Sequence, residues 1–126
     1  MSHSNRTVLV VDDDRSLVQF TTTILEHEGY IVRTACNGQE ALNRAIESLP
    51  DIILLDLRMP IMDGWTCYHL LKQREDTANI PIIVISADEV EEKVHSDLGG
   101  AHFLPKPFDI DDLLNNIRTY LGLTVP

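Results

Sequence analysis

The sequence predicts a doubly wound α/β fold, a five-stranded parallel sheet of order 2-1-3-4-5 covered by helices on both faces. Val- and Ile-rich runs recur along the chain, and the strongest lack the polar alternation of a one-sided strand, as expected of strands buried on both faces. Segments of helical period fill the intervals, and such alternation folds as a mostly parallel sheet. Right-handed crossovers leave few strand orders. The order 2-1-3-4-5 covers both faces and opens a crevice between strands 1 and 3, outside their carboxyl ends, where ligands bind in such sheets.

The first strand is expected at Thr7–Val11. Leu17, Val18, Phe20, Ile24 and Leu25 then form the apolar stripe of a first helix, with Gly29 placed to end it. A second strand is read at Tyr30–Val32. Asn37 is placed to cap a second helix that carries Ala41, Leu42, Ala45, Ile46 and Leu49 and stops at Pro50. Ile52–Leu55 is the third strand, and Asp63 caps a third helix with Trp65, Tyr68 and Leu71 inward. Ile82–Ile85 is the fourth strand, and Val90, Val94 and Leu98 suggest a fourth helix. Phe103–Leu104 makes a brief fifth strand. Asp109 opens a last helix carrying Ile110, Leu113, Leu114, Ile117, Tyr120 and Leu121. With no internal repeat, low-complexity stretch or linker, residues 1–126 read as a single domain with a core over about 7–121.

Twenty acidic residues against ten basic ones give a net charge of -10, which disfavours non-specific binding to nucleic acid or an anionic membrane. The apolar runs "IILL" and "IIVI" are too short to span a bilayer. "MSHSNRT" has no apolar h-region, so no secretory leader is expected and a cytoplasmic location is. Cys36 and Cys67 have neither metal nor disulfide spacing and read as buried packing thiols, alongside Met59 and Trp65. His3, His27, His69, His95 and His102 have no ligand spacing and read as surface or incidental.

Chemistry concentrates at the strand ends. "VLVVDDD" sets three carboxylates directly after a buried run, and at about 4 Å and an effective dielectric near 20 each like-charge pair costs about 4 kcal/mol. Such a cluster drifts apart in water, partly protonates, or holds a cation. Asp12 and Asp13 end strand 1, and Asp56 ends strand 3 in "DIILLD", so all three converge on the crevice. Hard oxygen donors suit magnesium or manganese. Lys106 in "FLPKPF" follows strand 5 and brings a phosphate-binding charge, while Ser86 ends strand 4 with a hydroxyl. This set suits phosphoryl transfer, in which an aspartate can itself be the acceptor. Taken singly, Asp12 and Asp13 could open a solvated loop, Lys106 could lie on the surface, Ser86 could cap a helix, and Phe103 could be plain core.

Together, "VLVVDDD", "IILLDLRMPIMDGW", "IPIIVISA" and "FLPKPF" resemble, in order, the motifs of a response-regulator receiver domain of two-component signalling. The likeness runs from about Thr7 to Leu121. It implies a flavodoxin-like three-layer sandwich and a signalling domain that only assists its own phosphorylation and dephosphorylation. Residue by residue it implies Asp56 as phosphoacceptor. Asp12, Asp13, Asp56 and the main-chain carbonyl of Arg58 become metal ligands, and Ser86 and Lys106 the phosphoryl contacts. It further implies Ser86 and Phe103 as a coupled switch and a cis peptide before Pro107. Asp14 falls outside the acidic pair and reads as a cap or first-turn acid. The implied partners are a sensor histidine kinase or histidine phosphotransfer protein and an unknown downstream protein, with no direct nucleic-acid or membrane contact.

A flavin-phosphate binder would need a Gly/Ser/Thr-rich loop where this chain has "DDDRS". An aspartyl-phosphate phosphatase resembles a receiver in chemistry but carries a D-x-D nucleophile motif and a capping insertion. A phosphorylation-independent pseudo-receiver would lack the acids that are present here. The output is open between a stand-alone regulator, a phosphorelay intermediate and a receiver cut from a longer protein. Between Ser86–Ala87 and "GGAHF" the chain is about two residues shorter than the familiar spacing, half a helical turn. A short or irregular helix 4 is therefore expected, with an exposed acidic side from Asp88, Glu89, Glu91 and Glu92. A partial population shift over residues 86–104 and a monomer or weak dimer complete the expectation.

Overall fold

The computed structural model describes residues 6–87, 91–99 and 101–123. Among them, strands and helices alternate as β1 (Thr7–Val11), α1 (Arg15–His27), β2 (Ile31–Ala35), α2 (Gly38–Glu47), β3 (Ile52–Asp56), α3 (Gly64–Gln73), β4 (Ile82–Ser86), α4 (Glu91–Asp97), β5 (His102–Pro105) and α5 (Ile110–Tyr120). The strands form one parallel sheet in the predicted order, β2-β1-β3-β4-β5.

Strand side chains point to alternate faces, and here both faces are apolar. Leu9, Val11, Ile53, Leu55, Ile82 and Val84 pack with Ala41 and Ala45 of α2, Cys67, Tyr68 and Leu71 of α3, and Val94 and Leu98 at α4. The intervening Val8, Val10, Ile52, Leu54, Ile83 and Ile85 pack with Leu25 of α1 and Leu113, Leu114 and Ile117 of α5. Val10 faces Leu54 across the β1–β3 pair, and Asp56 faces Ile85 across β3–β4. Counting in twos from Val10 and Leu54 reaches Asp12 and Asp56, which therefore leave neighbouring strand ends in the same phase. A slip of one residue would send one of them to the other face.

Four helices open on the same device. Asp14, Asn37, Asp63 and Asp109 are extended residues whose side chains accept from the backbone amides of Leu17, Glu40, Thr66 and Asp111 at 2.8–3.1 Å. The first helix gives way at Gly29, whose φ of 95° suits glycine.

The structure departs from the sequence reading in several places. The second strand is Ile31–Ala35 instead of Tyr30–Val32, because it is an edge strand whose exposed Ile31, Arg33 and Thr34 break up the apolar run. Tyr30 is buried just ahead of it. Phe20, Ile46, Leu49 and Ile110 belong to the apolar patterns of their helices yet are 50%, 37%, 52% and 38% exposed. The buried stripe of each helix is narrower than its apolar pattern, with α2 seating the small Ala41 and Ala45 against the sheet. Cys36 is exposed, one residue beyond β2. His102 is not incidental, since its ring stacks on Tyr120 at 3.5 Å. Helix α4 is short at seven residues, and Val94 and Leu98 are buried as expected. Val90, Asp88 and Glu89 lie outside the described residues, as do the side chains of Glu91 and Glu92, so the acidic face of α4 is not described.

Burial separates two leucines that the sequence treats alike. Leu25→Ala is expected to destabilise the fold by about 2–5 kcal/mol. The change Leu49→Ala is expected to stay within about 0.5 kcal/mol. Denaturant titration of both variants checks the contrast.

Candidate functional site

The carboxyl ends of β1 and β3 carry Asp12 and Asp56, which are only 6% and 5% exposed. Asp12 is fixed from two sides: its backbone amide donates to the Ala35 carbonyl at 3.1 Å, and its Oδ1 accepts from the Asp14 amide at 3.0 Å. Asp14 accepts from the Leu17 amide of α1 with its own side chain, the capping role read from the sequence. Asp13 is exposed at the rim. One carboxylate oxygen from each of Asp12, Asp13 and Asp56 lies within 4.8 Å of the others, forming a candidate cation site. The Arg58 amide reaches Asp56 Oδ1 at 3.5 Å, the outer limit of a hydrogen bond.

Beyond β5, the Lys106 amide donates to the Ser86 carbonyl at 3.0 Å and carries the β4–β5 ladder one residue further. The Lys106–Pro107 peptide is cis. The Lys106 ammonium sits 2.7 Å from Asp12 Oδ2 and 3.6 Å from Asp56 Oδ1. Ser86 is 1% exposed, and its Oγ has no hydrogen-bond partner. A buried hydroxyl left so loses solvation without compensation, which is uncommon away from a functional site. Phe103 is partly buried and packs against the α2–α4 side of the sheet.

Magnitudes show that the acids are not at rest. At an effective dielectric of 20, Lys106 gains about 6 kcal/mol from Asp12 and about 5 from Asp56 at these distances, while each carboxylate pair, no more than 4.8 Å apart, loses about 3.5 or more. One ammonium thus at most offsets the repulsion among three carboxylates and leaves their desolvation unopposed. Burial, then the charge of Asp12, push the Asp56 carboxyl up to about 6 from 3.8, against Lys106 and the Arg58 amide, with Asp13 adding to the rise. Burial acts to lower the Lys106 ammonium, but its hydrogen bond to Asp12 and the charges of Asp12 and Asp56 outweigh that, and its pKa is raised.

Sequence reasoning overlooked two glycines that shape the loop after Asp56. A Cβ on Gly64 would run into the Asp56 carbonyl oxygen and, at 2.7 Å, Leu57 Cα, so the start of α3 rests directly on the end of β3. The Gly64 amide donates to the Leu57 carbonyl at 3.0 Å. Gly38 opens α2 with its amide 2.8 Å from the Met62 carbonyl, and a Cβ there would lie 2.5 Å from the same oxygen. The available signal was glycine in a helical first turn, a poor place for it unless another backbone passes close.

Residues 8–118 match the response regulator receiver domain. The chain belongs to that family. The response regulator MprA of Mycolicibacterium vanbaalenii is 39% identical over 121 residues, which are 94% of this chain and 52% of the relative. The DNA-binding dual master transcriptional regulator RpaA of Synechocystis is 34% identical over 119 residues, 93% of this chain and 49% of the relative. This receiver spans about half the length of these curated relatives. The receiver domain of a Francisella response regulator superposes with a TM-score of 0.85 at 33% identity, covering 94% of this chain and 98% of the other. The receiver is thus a signalling domain of the two-component type, and among its described residues no helix is long and apolar enough to cross a membrane.

In this receiver the folded state holds the Asp56 proton more tightly than the unfolded chain does, so without metal this group makes stability fall as pH rises from about 4 to 6. In chelator, Asp56→Asn is expected to melt above the wild type near pH 8, by roughly 1–3 kcal/mol, with the gain vanishing below about pH 4. Thermal melts across that range test the sign. Gly64→Ala is expected to destabilise by about 1–3 kcal/mol through backbone overlap, read by denaturant titration.

Proposed function

We propose that this receiver, as a single domain with its core over about 7–121, accepts a phosphoryl group on Asp56 from a phosphohistidine of a sensor kinase or a histidine phosphotransfer protein. One observation carries the reading: three carboxylates from the ends of β1 and β3 meet within 4.8 Å beside the Lys106 ammonium. An Asp56 carboxylate oxygen attacks phosphorus as the phosphorus–nitrogen bond breaks. The bond's electron pair leaves with the imidazole, which takes a proton from solvent. Asp12, Asp13, Asp56 and the Arg58 carbonyl are the residues that would hold magnesium or manganese. All are hard oxygen donors, and the excess negative charge at the site fits a divalent cation. Such an ion supplies neutralisation of phosphoryl-oxygen charge.

Two groups of this chain then respond to the new charge. Lys106 pairs with the phosphoryl oxygens as a point charge. The unpartnered Ser86 hydroxyl has a hydrogen bond to gain by moving toward them, and Phe103 follows into the space it leaves. The face of α4, β5 and α5 so altered contacts a downstream protein. Reversing a 1:99 equilibrium takes about 5.5 kcal/mol, so a network of this size gives a partial shift of population.

Intact-mass spectrometry with acetyl phosphate tests the reading. One phosphoryl adduct is expected with magnesium and none with chelator or in Asp56→Asn. In Asp13→Ala more magnesium is expected for half-maximal labelling, because fewer anionic oxygens remain. Equal labelling of Asp56→Asn and wild type would rule it out.

A further inference from the structure

Helix α1 carries a charge at each end, and both charges oppose the helix dipole. Arg15 opens the first turn, where the dipole favours acids, and Glu26 stands in the last turn, where it favours bases. Both are exposed, and neither side chain is bonded to another described residue. Arg15, Gln19, Thr22 and Glu26 recur at steps of four, three and four, so they form one line along the helix. That line walls a groove of about 590 Å³ whose other side is the end of β2, with Thr34 and Cys36. Midway along it, Thr22 Oγ1 is buried with no hydrogen-bond partner. Its neighbour Thr23 shows how a helix commonly settles such a hydroxyl, donating to the Gln19 carbonyl at 2.9 Å.

The border of β2 runs beside this groove. The Ile31 amide donates to the Arg6 carbonyl and the Asp12 amide to the Ala35 carbonyl, so alternate residues of β2 face β1. The main-chain groups of Val32 and Thr34 therefore face outward at the edge of the sheet. The Thr34 side chain lines the groove on the α1 side, and Ile31, 46% exposed, leaves the opposite face of the strand.

We infer that the groove between α1 and β2 is a docking site for an extended segment of a partner protein, which adds to the β2 edge and turns a basic side chain toward Glu26 and an acidic one toward Arg15. Main-chain pairing with Val32 and Thr34 gives such a segment its grip, and its alternate side chains give the choice of partner. Those on the α1 side meet Arg15, the Thr22 hydroxyl and Glu26, while those between them fall on the Ile31 side. Eleven residues of helix set Arg15 and Glu26 about 16 Å apart. A five-residue strand spans about 13 Å between its end Cα atoms, and long charged side chains cover the rest. The groove thus calls for opposite charges four residues apart with a hydroxyl residue between them. A second copy of the chain is a poor occupant, because a net charge of -10 on each repels the other. The groove meets the crevice of Asp56 only at Asp12, and Leu17 and Phe20 leave α1 from its other flank.

Four end-blocked pentapeptides test this by NMR titration of the intact chain: Lys-Val-Thr-Val-Glu, Glu-Val-Thr-Val-Lys, Lys-Val-Thr-Val-Lys and Glu-Val-Thr-Val-Glu. One of the two mixed-charge peptides is expected to bind about fivefold or more tighter than either uniform one, its order giving the strand direction. The amides of Gln19, Thr22, Val32 and Thr34 are expected to shift. Arg15→Glu is expected to weaken that peptide by about fivefold or more. Thr34→Pro removes an outward amide and spares the bonds to β1, so it is expected to weaken binding by about tenfold with a melting temperature near that of wild type. Failure of both mixed peptides to bind overturns the inference. So does equal or tighter binding of the doubly basic peptide, which would mean attraction to net charge alone. Shifts confined to the crevice of Asp56 overturn it as well. Undiminished binding by Arg15→Glu does the same, and decides the matter if Thr34→Pro fails to fold.

Discussion

The Lys106 ammonium is shared between Asp12 at 2.7 Å and Asp56 at 3.6 Å, and the arrangement exists only because every strand runs the same way. Parallel alignment gathers the carboxyl ends of β1, β3, β4 and β5 along one edge, so residues 12, 56, 86 and 106 become neighbours although the chain separates them widely. One reversed strand would remove its residue from the group. The two-residue pleat then decides which face each side chain leaves from, and the apolar runs on both sides of the sheet lock that choice.

Fold and chemistry oppose each other at this edge. The core gains from burying β1 and β3 to their last residues, yet those residues are acids that water would solvate better. The molecule retains a raised Asp56 carboxyl and an unpartnered Ser86 hydroxyl, two costs set in a well-packed frame. The backbone around them is braced by Gly64 against β3 and Gly38 against the Met62 carbonyl. Rigid support with unsatisfied polar groups is the combination a site needs if charge brought by a ligand is to change its geometry.

Much of this was legible in the sequence, for reasons particular to each element. Strands β1, β3 and β4 announce themselves because both faces are buried and their runs are unbroken, whereas β2 is an edge strand and its Arg33 and Thr34 disguise it. The caps at Asp14, Asn37, Asp63 and Asp109 could be read because capping is a local, residue-specific interaction. Phe20, Ile46, Leu49 and Ile110 misled because apolarity says a residue can be buried, not that a surface waits to bury it. The converging acids followed from topology. The collisions awaiting a Cβ at Gly38 or Gly64 are set by backbone from elsewhere in the chain, and the sequence marks them only by placing glycine in a helix's first turn.

The two edges of the sheet are not equivalent. Lys106 turns its amide inward to Ser86, so in an alternating ladder the amide position of the residue before it faces away from β4. That residue is Pro105, which has no N–H, and Pro107 repeats the gap two residues on. The outer border of β5 is therefore missing donors where a strand from another molecule would have to pair. The border of β2 keeps its amides but carries Arg33 and belongs to a chain of net charge -10, whose copies repel. A sheet that must leave its carboxyl edge uncovered is thus guarded against growing sideways, and contact along β5 falls to side chains, which can be remodelled in ways a backbone ladder cannot.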